Sequence, residues 1–355
     1  MAQRLRNSGL SSVSENESLL RPVGLISGNS AQAAIKAGVA RLLAGGPLAF
    51  AAVEVIARER RTVCALPILA AEFDAQLAVL SHPRAPFAGL SLDRPRLMGI
   101  VNATPDSFSD GGAHSVPEAA VRHATILLES GADFIDLGGE STRPGALPIP
   151  AEEQIRRVEP VIRGLADRGV LVSIDTRDPK VMAAALAAGA RIVNDVSALA
   201  TPGALEAVGR AGAAAILVHM QGEPRTMQDN ANYENVTMEV AHFLAARVQA
   251  CVAAGIPVER LAVDPGIGFG KTGTHNAQLL DDLAALHILG VPVVLGASRK
   301  GWIGALESWP PSERIGGSLA AALTGLDRGA QILRVHDVAQ TGQAVQAWQR
   351  LNCTR

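Results

Sequence analysis

The segment Arg96-Leu97-Met98-Gly99-Ile100-Val101-Asn102-Ala103-Thr104-Pro105-Asp106 decides the fold. After Arg96 its first half is an apolar run, the pattern of a strand buried on both faces of a parallel sheet. Its second half is polar and holds Pro105. A doubly wound dinucleotide fold needs a glycine-rich turn at this junction, and none follows Val101. The same design then repeats. Further apolar runs start near Asp133, Val170, Arg191, Ala214, Leu261, Val291 and Gln331. Between them lie alanine-rich stretches of helical character at residues 118–130, 152–167, 179–188, 203–211, 235–254, 277–289 and 313–328, with a last one at 338–351. Eight strand–helix units in residues 95–355 approach the roughly 250 residues of an α/β fold of the (β/α)8 barrel type.

Upstream of the repeat the pattern is mixed. Residues 1–20 are polar and serine-rich and are expected as a disordered tail. Residues 21–94 are expected as an N-terminal α/β extension, with helices over 33–43 and 70–80 and strands over 48–57 and 62–66. The breaker clusters His82-Pro83-Arg84-Ala85-Pro86 and Asp93-Arg94-Pro95 mark its boundary with the barrel.

Composition narrows the function classes. Of 355 residues 48% are hydrophobic and 19% charged, which excludes wholesale disorder. Aromatics make up 3%, so Ala, Val, Leu and Ile must build the core. The 32 basic and 34 acidic residues give a net charge of −2 and no basic field for a nucleic-acid backbone. Cys64, Cys251 and Cys353 are too scattered for a disulfide framework or a zinc site and suit a reducing cytoplasm. The longest uncharged run, residues 283–298, contains His287, Gly290 and Pro292 and is too short to span a bilayer, so no membrane partner is expected.

In such a barrel the active residues sit at the C-terminal strand ends. Here the first loop reads Asn102-Ala103-Thr104-Pro105-Asp106-Ser107-Phe108-Ser109-Asp110-Gly111-Gly112 and the second Gly138-Gly139-Glu140-Ser141-Thr142-Arg143-Pro144-Gly145. Later strands end in Asp175-Thr176-Arg177, Asn194-Asp195, His219-Met220-Gln221-Gly222, Asp264-Pro265-Gly266-Ile267-Gly268-Phe269-Gly270-Lys271, Ser298-Arg299-Lys300 and Arg334-Val335-His336-Asp337. Asp175, Asn194 and Asp264 offer acceptors and one amide from three strands. Buried carboxylates without partners are costly, so this group calls for a flat heterocycle rich in N–H donors. Arg143, Lys300, Arg334 and His336 form a cationic set suited to phosphate oxygens. Asn102 with nearby loop oxygens suits Mg²⁺, ligand phosphates and water completing its octahedron.

Plainer readings exist for each residue. The aspartates could cap helices, His219 and His336 could be packing residues, and Asp136 and Glu140 could serve only to orient Arg143. The glycines of residues 266–270 resemble a nucleotide loop only superficially and read as turn formers. Recurrence at successive strand ends is what favours a site.

These eight ordered motifs make residues 96–355 resemble dihydropteroate synthase, a pterin-binding barrel family of folate biosynthesis. The resemblance implies a transferase that joins 6-hydroxymethyl-7,8-dihydropterin diphosphate to 4-aminobenzoate and releases diphosphate. It implies pterin contacts from Asp175, Asn194, Asp264 and Lys300. Diphosphate contacts would come from Asn102, Arg143, Arg334, Val335 and His336. Aminobenzoate contacts would come from Phe108, Thr142, Arg143, Pro144, Phe269, Lys300 and Gly301. Asp110, Arg143, Lys300, Arg334 and His336 would act in catalysis, with Mg²⁺ on Asn102 as cofactor. A homodimer and inhibition by sulfonamides follow from the same resemblance.

Many members of the family carry Ser where Gly301 stands, so the aminobenzoate carboxylate would lose a hydroxyl donor here. A corrinoid-linked pterin methyltransferase shares the acceptor cluster, but the first loop with Arg334 and His336 argues against it. A catalytically silent pterin-binding paralogue is the other alternative. Alanine at Lys300 or Arg334 is expected to remove activity with little loss of stability. No role is read for residues 1–94.

Overall fold

The computed structural model describes residues 18–352, apart from 59, 70, 104–115, 141–148, 224–226, 228–230 and 306–307. The chain opens with β1 (Leu19–Ile26), α1 (Gly28–Lys36), β2 (Arg41–Leu42), β3 (Ala49–Ile56) and β4 (Arg61–Ala65). They form an antiparallel sheet in which β3 pairs with β1 along one edge and with β2 and β4 along the other. Strand β1 starts within the stretch expected as a tail, because Leu19 and Leu20 are buried. The first helix ends at Lys36, earlier than its composition suggests. Gly38 takes a φ of +73° just beyond it, and the chain turns back into β2. Helix α2 (Asp74–Ser81) follows.

The repeat then builds the barrel. Its first half is β5 (Arg96–Asn102), α3 (Val116–Glu129), β6 (Phe134–Gly138), α4 (Ala151–Ala166), β7 (Val172–Asp175), α5 (Pro179–Ala187), β8 (Ile192–Asp195) and α6 (Ala204–Ala211). The second half is β9 (Ala214–Val218), α7 (Val236–Ala253), β10 (Leu261–Asp264), α8 (Gly273–Asp281), β11 (Val294–Leu295), α9 (Gly301–Gly304), α10 (Ile315–Asp327), β12 (Ile332–Val335) and α11 (Val338–Asn352). The eight strands run parallel in the order β10-β9-β8-β7-β6-β5-β12-β11. A parallel bridge between Val263 and Val293 joins the two outer strands and closes the barrel. Residues 277–289 read as one helix but divide at Asp282 into the end of α8 and a 3₁₀ segment, Leu283–Leu289.

Two large hydrophobic clusters pack the sheet and the barrel, beside a small one around Ala31, Ala40 and Ala49. Inside the barrel, Met98, Phe134, Ile192, Ile216, Ala262, Val294 and Ile332 pack on Phe87. Phe87 and Leu90 exchange both backbone hydrogen bonds at 2.9 Å, a tight turn that stoppers the N-terminal end of the strands. Outside, Leu19, Leu20, Phe50, Val53 and Ile56 of the N-terminal sheet join the same cluster as Leu286 and Leu289. Each such side chain contributes about 1.5–3 kcal/mol on burial, so the sheet shares its core with the barrel. Among the described residues no helix is long and apolar enough to cross a membrane.

Candidate active site

Strand ends bring four polar residues into the barrel interior. Asp175 and Asn194 end neighbouring strands and pair in register; Asp136 lies on β6 and Asp264 ends β10. All four are buried. Arg334 on β12 reaches into this group: its Nε lies 2.7 Å from Asp136 Oδ2 and its Nη2 2.6 Å from Asp175 Oδ2. The Asn194 Nδ2 donates to the same Asp136 oxygen at 3.1 Å, which leaves its Oδ1 a buried acceptor without a partner among the described residues. Gly266 N–H donates to Asp264 Oδ1 at 2.7 Å.

The cationic set read from the sequence is therefore divided. Arg334 belongs to the carboxylate cluster, because Asp136 and Asp175 need a counter-charge in a dry interior. Asp136 orients Arg334, a partner 198 residues away that local spacing could not suggest. Burial pushes the Asp175 carboxyl up to about 7, with Asp136 and Asp195 adding to the rise and Arg334 opposing it. Burial also raises Asp264, against the pull of the Gly266 N–H. Arg334 is disfavoured by burial, but the Asp136 and Asp175 carboxylates more than restore it, and it stays a cation.

Next to this cluster opens a cavity of about 630 Å³ whose lining includes Asn102, Phe269, Lys300, Gly301, Arg334 and His336. Asp175, Asn194 and Asp264 lie beyond that lining, with Arg334 bonded to the first and Gly296 close against the last. Val335 is buried in the core and does not line the cavity. Lys300 Nζ stands 3.7 Å from the centroid of the Phe269 ring. Burial pushes this lysine down to about 8, Arg334 acting in the same direction. Arg299 before it takes a left-handed φ of +57°. That conformation costs an L residue about 1–2 kcal/mol. An ion pair to Asp337 (Nε to Oδ2, 2.9 Å) and hydrogen bonds from its N–H to Ser318 Oγ (2.9 Å) and to its carbonyl from Arg314 (3.0 Å) hold it there.

His336 is a correction to the expected cations. Its Nδ1 lies 3.1 Å from Ser298 Oγ, which also accepts the His336 backbone N–H at 3.2 Å. The hydroxyl hydrogen is then free for Nδ1, leaving the ring proton on Nε2 as a donor. Burial, with Arg334 and Arg299 nearby, pushes the imidazole down to about 3. His336 is thus a neutral donor at neutral pH.

The glycine-rich loop after β10 is a close-packed turn. Gly266 has φ +68°, and a Cβ there would lie 1.8 Å from the His219 carbonyl oxygen. Gly268 has φ +83°, and a Cβ there would lie 3.0 Å from Lys300 Cδ. Lys271 is buried and turned back on the loop, its Nζ 2.9 Å from the Phe269 carbonyl, 3.0 Å from that of Gly266 and 2.8 Å from His219 Nδ1. Burial and the adjacent Lys271 depress His219 well below its usual range, so its Nδ1 accepts. Tyr233 Oη donates to the Gly270 carbonyl at 3.0 Å. Lys271, His219 and Tyr233 are thus positioning residues of this loop, which sequence reading left out. Phe108, Asp110, Thr142, Arg143 and Pro144 lie outside the described residues.

A metal is testable against the donors present. Among the described residues no group of three or more His, Cys, Asp or Glu could hold one. Asn102 lines the cavity, and its amide oxygen is 3.3 Å from where a Gly138 Cβ would stand, so Gly138 keeps space beside it. A single amide oxygen fits a hard cation that takes its other ligands from phosphate and water.

Comparison with known proteins agrees with this geometry. The model of the pterin binding enzyme family matches residues 98–336. Dihydropteroate synthase of Escherichia coli (strain K12) is 47% identical over 257 residues, covering 72% of this chain and 91% of that protein. The structure of Xanthomonas albilineans dihydropteroate synthase with 4-aminobenzoic acid superposes with a TM-score of 0.70 at 52% identity, covering 74% of this chain and 96% of that one. That of the Burkholderia cenocepacia enzyme complexed with 7,8-dihydropteroate gives 0.68 at 42% identity, covering 76% and 96%. The chain belongs to the pterin-binding enzymes, within the dihydropteroate synthase family.

Proposed function

We propose that this protein is a dihydropteroate synthase, a transferase that condenses 6-hydroxymethyl-7,8-dihydropterin diphosphate with 4-aminobenzoate. The observation that carries the reading is the meeting of buried acceptors on Asp175, Asn194 and Asp264 with Arg334 and Lys300 at one end of a barrel. Asn194 Oδ1 and the free oxygen of Asp175 would take the N–H donors of the pterin ring, with Asp264 alongside. In the reaction the methylene C–O bond breaks and diphosphate leaves with the electron pair. The arylamine nitrogen then forms the C–N bond and gives up a proton. Arg334 and the Nε2–H of His336 stabilise charge on the leaving oxygens. Asp175 favours positive character at the methylene, and Phe269 with Lys300 flanks the incoming ring. Asn102 would hold Mg²⁺, which when bound supplies additional neutralisation of the diphosphate. Phe108, Asp110, Thr142, Arg143 and Pro144 complete the reading by family resemblance, as do a homodimer and sensitivity to sulfonamides. A cytoplasmic location accords with the unpaired thiols of Cys64 and Cys251.

The test is direct. Purified protein with the pterin diphosphate, 4-aminobenzoate and Mg²⁺ should yield 7,8-dihydropteroate by chromatography. No product, beside a known synthase that works, overturns the reading. The pH profile follows from two groups. Asp175 must be ionised to accept the pterin N–H groups, so kcat/KM for the pterin diphosphate rises as pH climbs through about 7. Lys300 must be protonated, so the same parameter falls as pH passes about 8. Initial rates at limiting pterin diphosphate should trace this narrow bell; a flat profile contradicts the assignment.

Gly301 gives a gain-of-function test. A Cβ at this position meets nothing within 4 Å, so a serine fits without displacement. Gly301→Ser should lower KM for 4-aminobenzoate about three- to tenfold, the net worth of one ordinary hydrogen bond of about 1 kcal/mol. Steady-state titration checks this, with kcat expected to change little.

A further inference from the structure

The N-terminal sheet lies outside the family match, yet it grips the helices that leave two active-site loops. Arg21 on β1 and Arg61 on β4 converge on Asp282, the residue directly after α8. Arg21 Nη1 lies 2.8 Å from Asp282 Oδ1, and Arg61 Nη2 2.6 Å from Oδ2. Glu54 on β3 pairs with both guanidiniums, at 2.8 Å from Arg21 and 3.3 Å from Arg61, and together with Asp282 balances their two charges. Asp282 is 2% exposed, and it also accepts a 2.6 Å hydrogen bond from the hydroxyl of Thr237, 1% exposed, in the first turn of α7. One carboxylate thus ties the sheet to the end of α8 and the start of α7.

Helix α7 continues from the loop after β9. Just before it, Glu234 meets Arg58 of the β3–β4 turn at 2.7 Å, an exposed contact of small worth. Its neighbour Tyr233 holds the Gly270 carbonyl, and its ring stands edge-on to His275 at 5.0 Å between centroids. Gly270 follows Phe269, which lies under Lys300. Side-chain contacts joined by short stretches of backbone therefore run from β1 and β4 through Asp282 and Thr237, along the chain to Tyr233 and Gly270, and on to Phe269 and Lys300.

We infer that the N-terminal sheet positions the active site. Arg21 and Arg61 act through Asp282 and Thr237 to set the Tyr233 loop, and with it the Phe269 ring that receives the aminobenzoate. A sheet that only added stability could dock by apolar contacts alone, since a buried ion cluster adds little over well-packed apolar side chains. What the cluster supplies is a fixed direction for two helices.

This inference rests on the synthase reading, and the experiment separates the two. In the full-length protein, Thr237→Val keeps side-chain volume and cuts only the Asp282 link. It should raise KM for 4-aminobenzoate about fivefold with kcat within about twofold, as an interaction that sets binding geometry does. Arg61→Met should do the same, and Arg61→Lys should restore most of the affinity. Combined with Tyr233→Phe, Thr237→Val should raise KM no further than the larger single change, because both lie on one route. Hydrogen exchange of amides 231–235 and 266–271 should quicken in Thr237→Val, a readout that needs no turnover. A wild-type KM in Thr237→Val, additive effects with Tyr233→Phe, or unchanged exchange overturns the inference. A wild-type protein that makes no dihydropteroate overturns the synthase reading, and the exchange experiment still decides the mechanical link.

Discussion

Arg334→Ala is expected to lower kcat/KM about a thousandfold and to cost about 3–5 kcal/mol of stability. The activity loss follows from removing the cation that would meet the diphosphate. The stability loss, contrary to what the sequence alone suggests, follows from what Arg334 touches. Its guanidinium is the partner of Asp136, which is fully buried, and of Asp175, which is 8% exposed. Removing it strands two carboxylates, and Asn194 loses the fixed oxygen that orients its amide. Steady-state kinetics with urea unfolding measures both effects. An inactive variant as stable as its parent would show that the two ion pairs contribute nothing to the fold. Lysine at 334 should recover little, because one ammonium cannot span two carboxylates as the guanidinium fork does.

Lys300→Ala should separate the two properties. Activity is expected to fall about a hundredfold or more, while the unfolding midpoint stays level or rises. Lys300 has no carboxylate within ion-pair distance among the described residues; its ammonium rests over Phe269. Burial lowers its pKa to about 8, from an unfolded value of 10.5. A lowered pKa on a base means that folding disfavours the charged form. That penalty is full below about pH 8 and fades as pH rises towards the unfolded value. Alanine removes the penalty, partly offset by the cavity left by the methylene stem. The stability advantage of the variant should therefore be greatest below pH 8 and shrink above it. Thermal melts across this range test the sign, and a destabilised variant at neutral pH would contradict it.

How much of this was legible depends on what each residue needed. The barrel strands could be read because a strand buried on both faces is a plain apolar run, as in Leu97 to Val101. Strand β1 could not, because Arg21 and Pro22 interrupt the pattern, and Arg21 is there for a carboxylate in the sixth barrel unit. Strand-end residues such as Asp175, Asn194 and Asp264 announced themselves by position. Their pairings did not: Asp136 meets Arg334 across 198 residues, and Arg61 meets Asp282 across 221. The charge of His336 was also hidden, since it depends on burial and on neighbours that only folding supplies. Lys271 ends a run read from sequence only as a turn, and only folding reveals its ammonium turned onto its own backbone.

Among the described residues, Phe87 fills the N-terminal end of the barrel, and the cavity opens at the other end. Phe269 and Gly301 line that cavity, and Asp175 lies beyond its lining behind Arg334. On the proposed assignment, entry would be a queue, the pterin diphosphate seated first and the aminobenzoate closing in behind it. An aminobenzoate that arrives early blocks the corridor instead of waiting in it. Departure reverses the queue, with the outer end of the product loosened before the inner end can move. The proposed site would thus impose an order of arrival on the two substrates, to match the order of bond breaking and bond making.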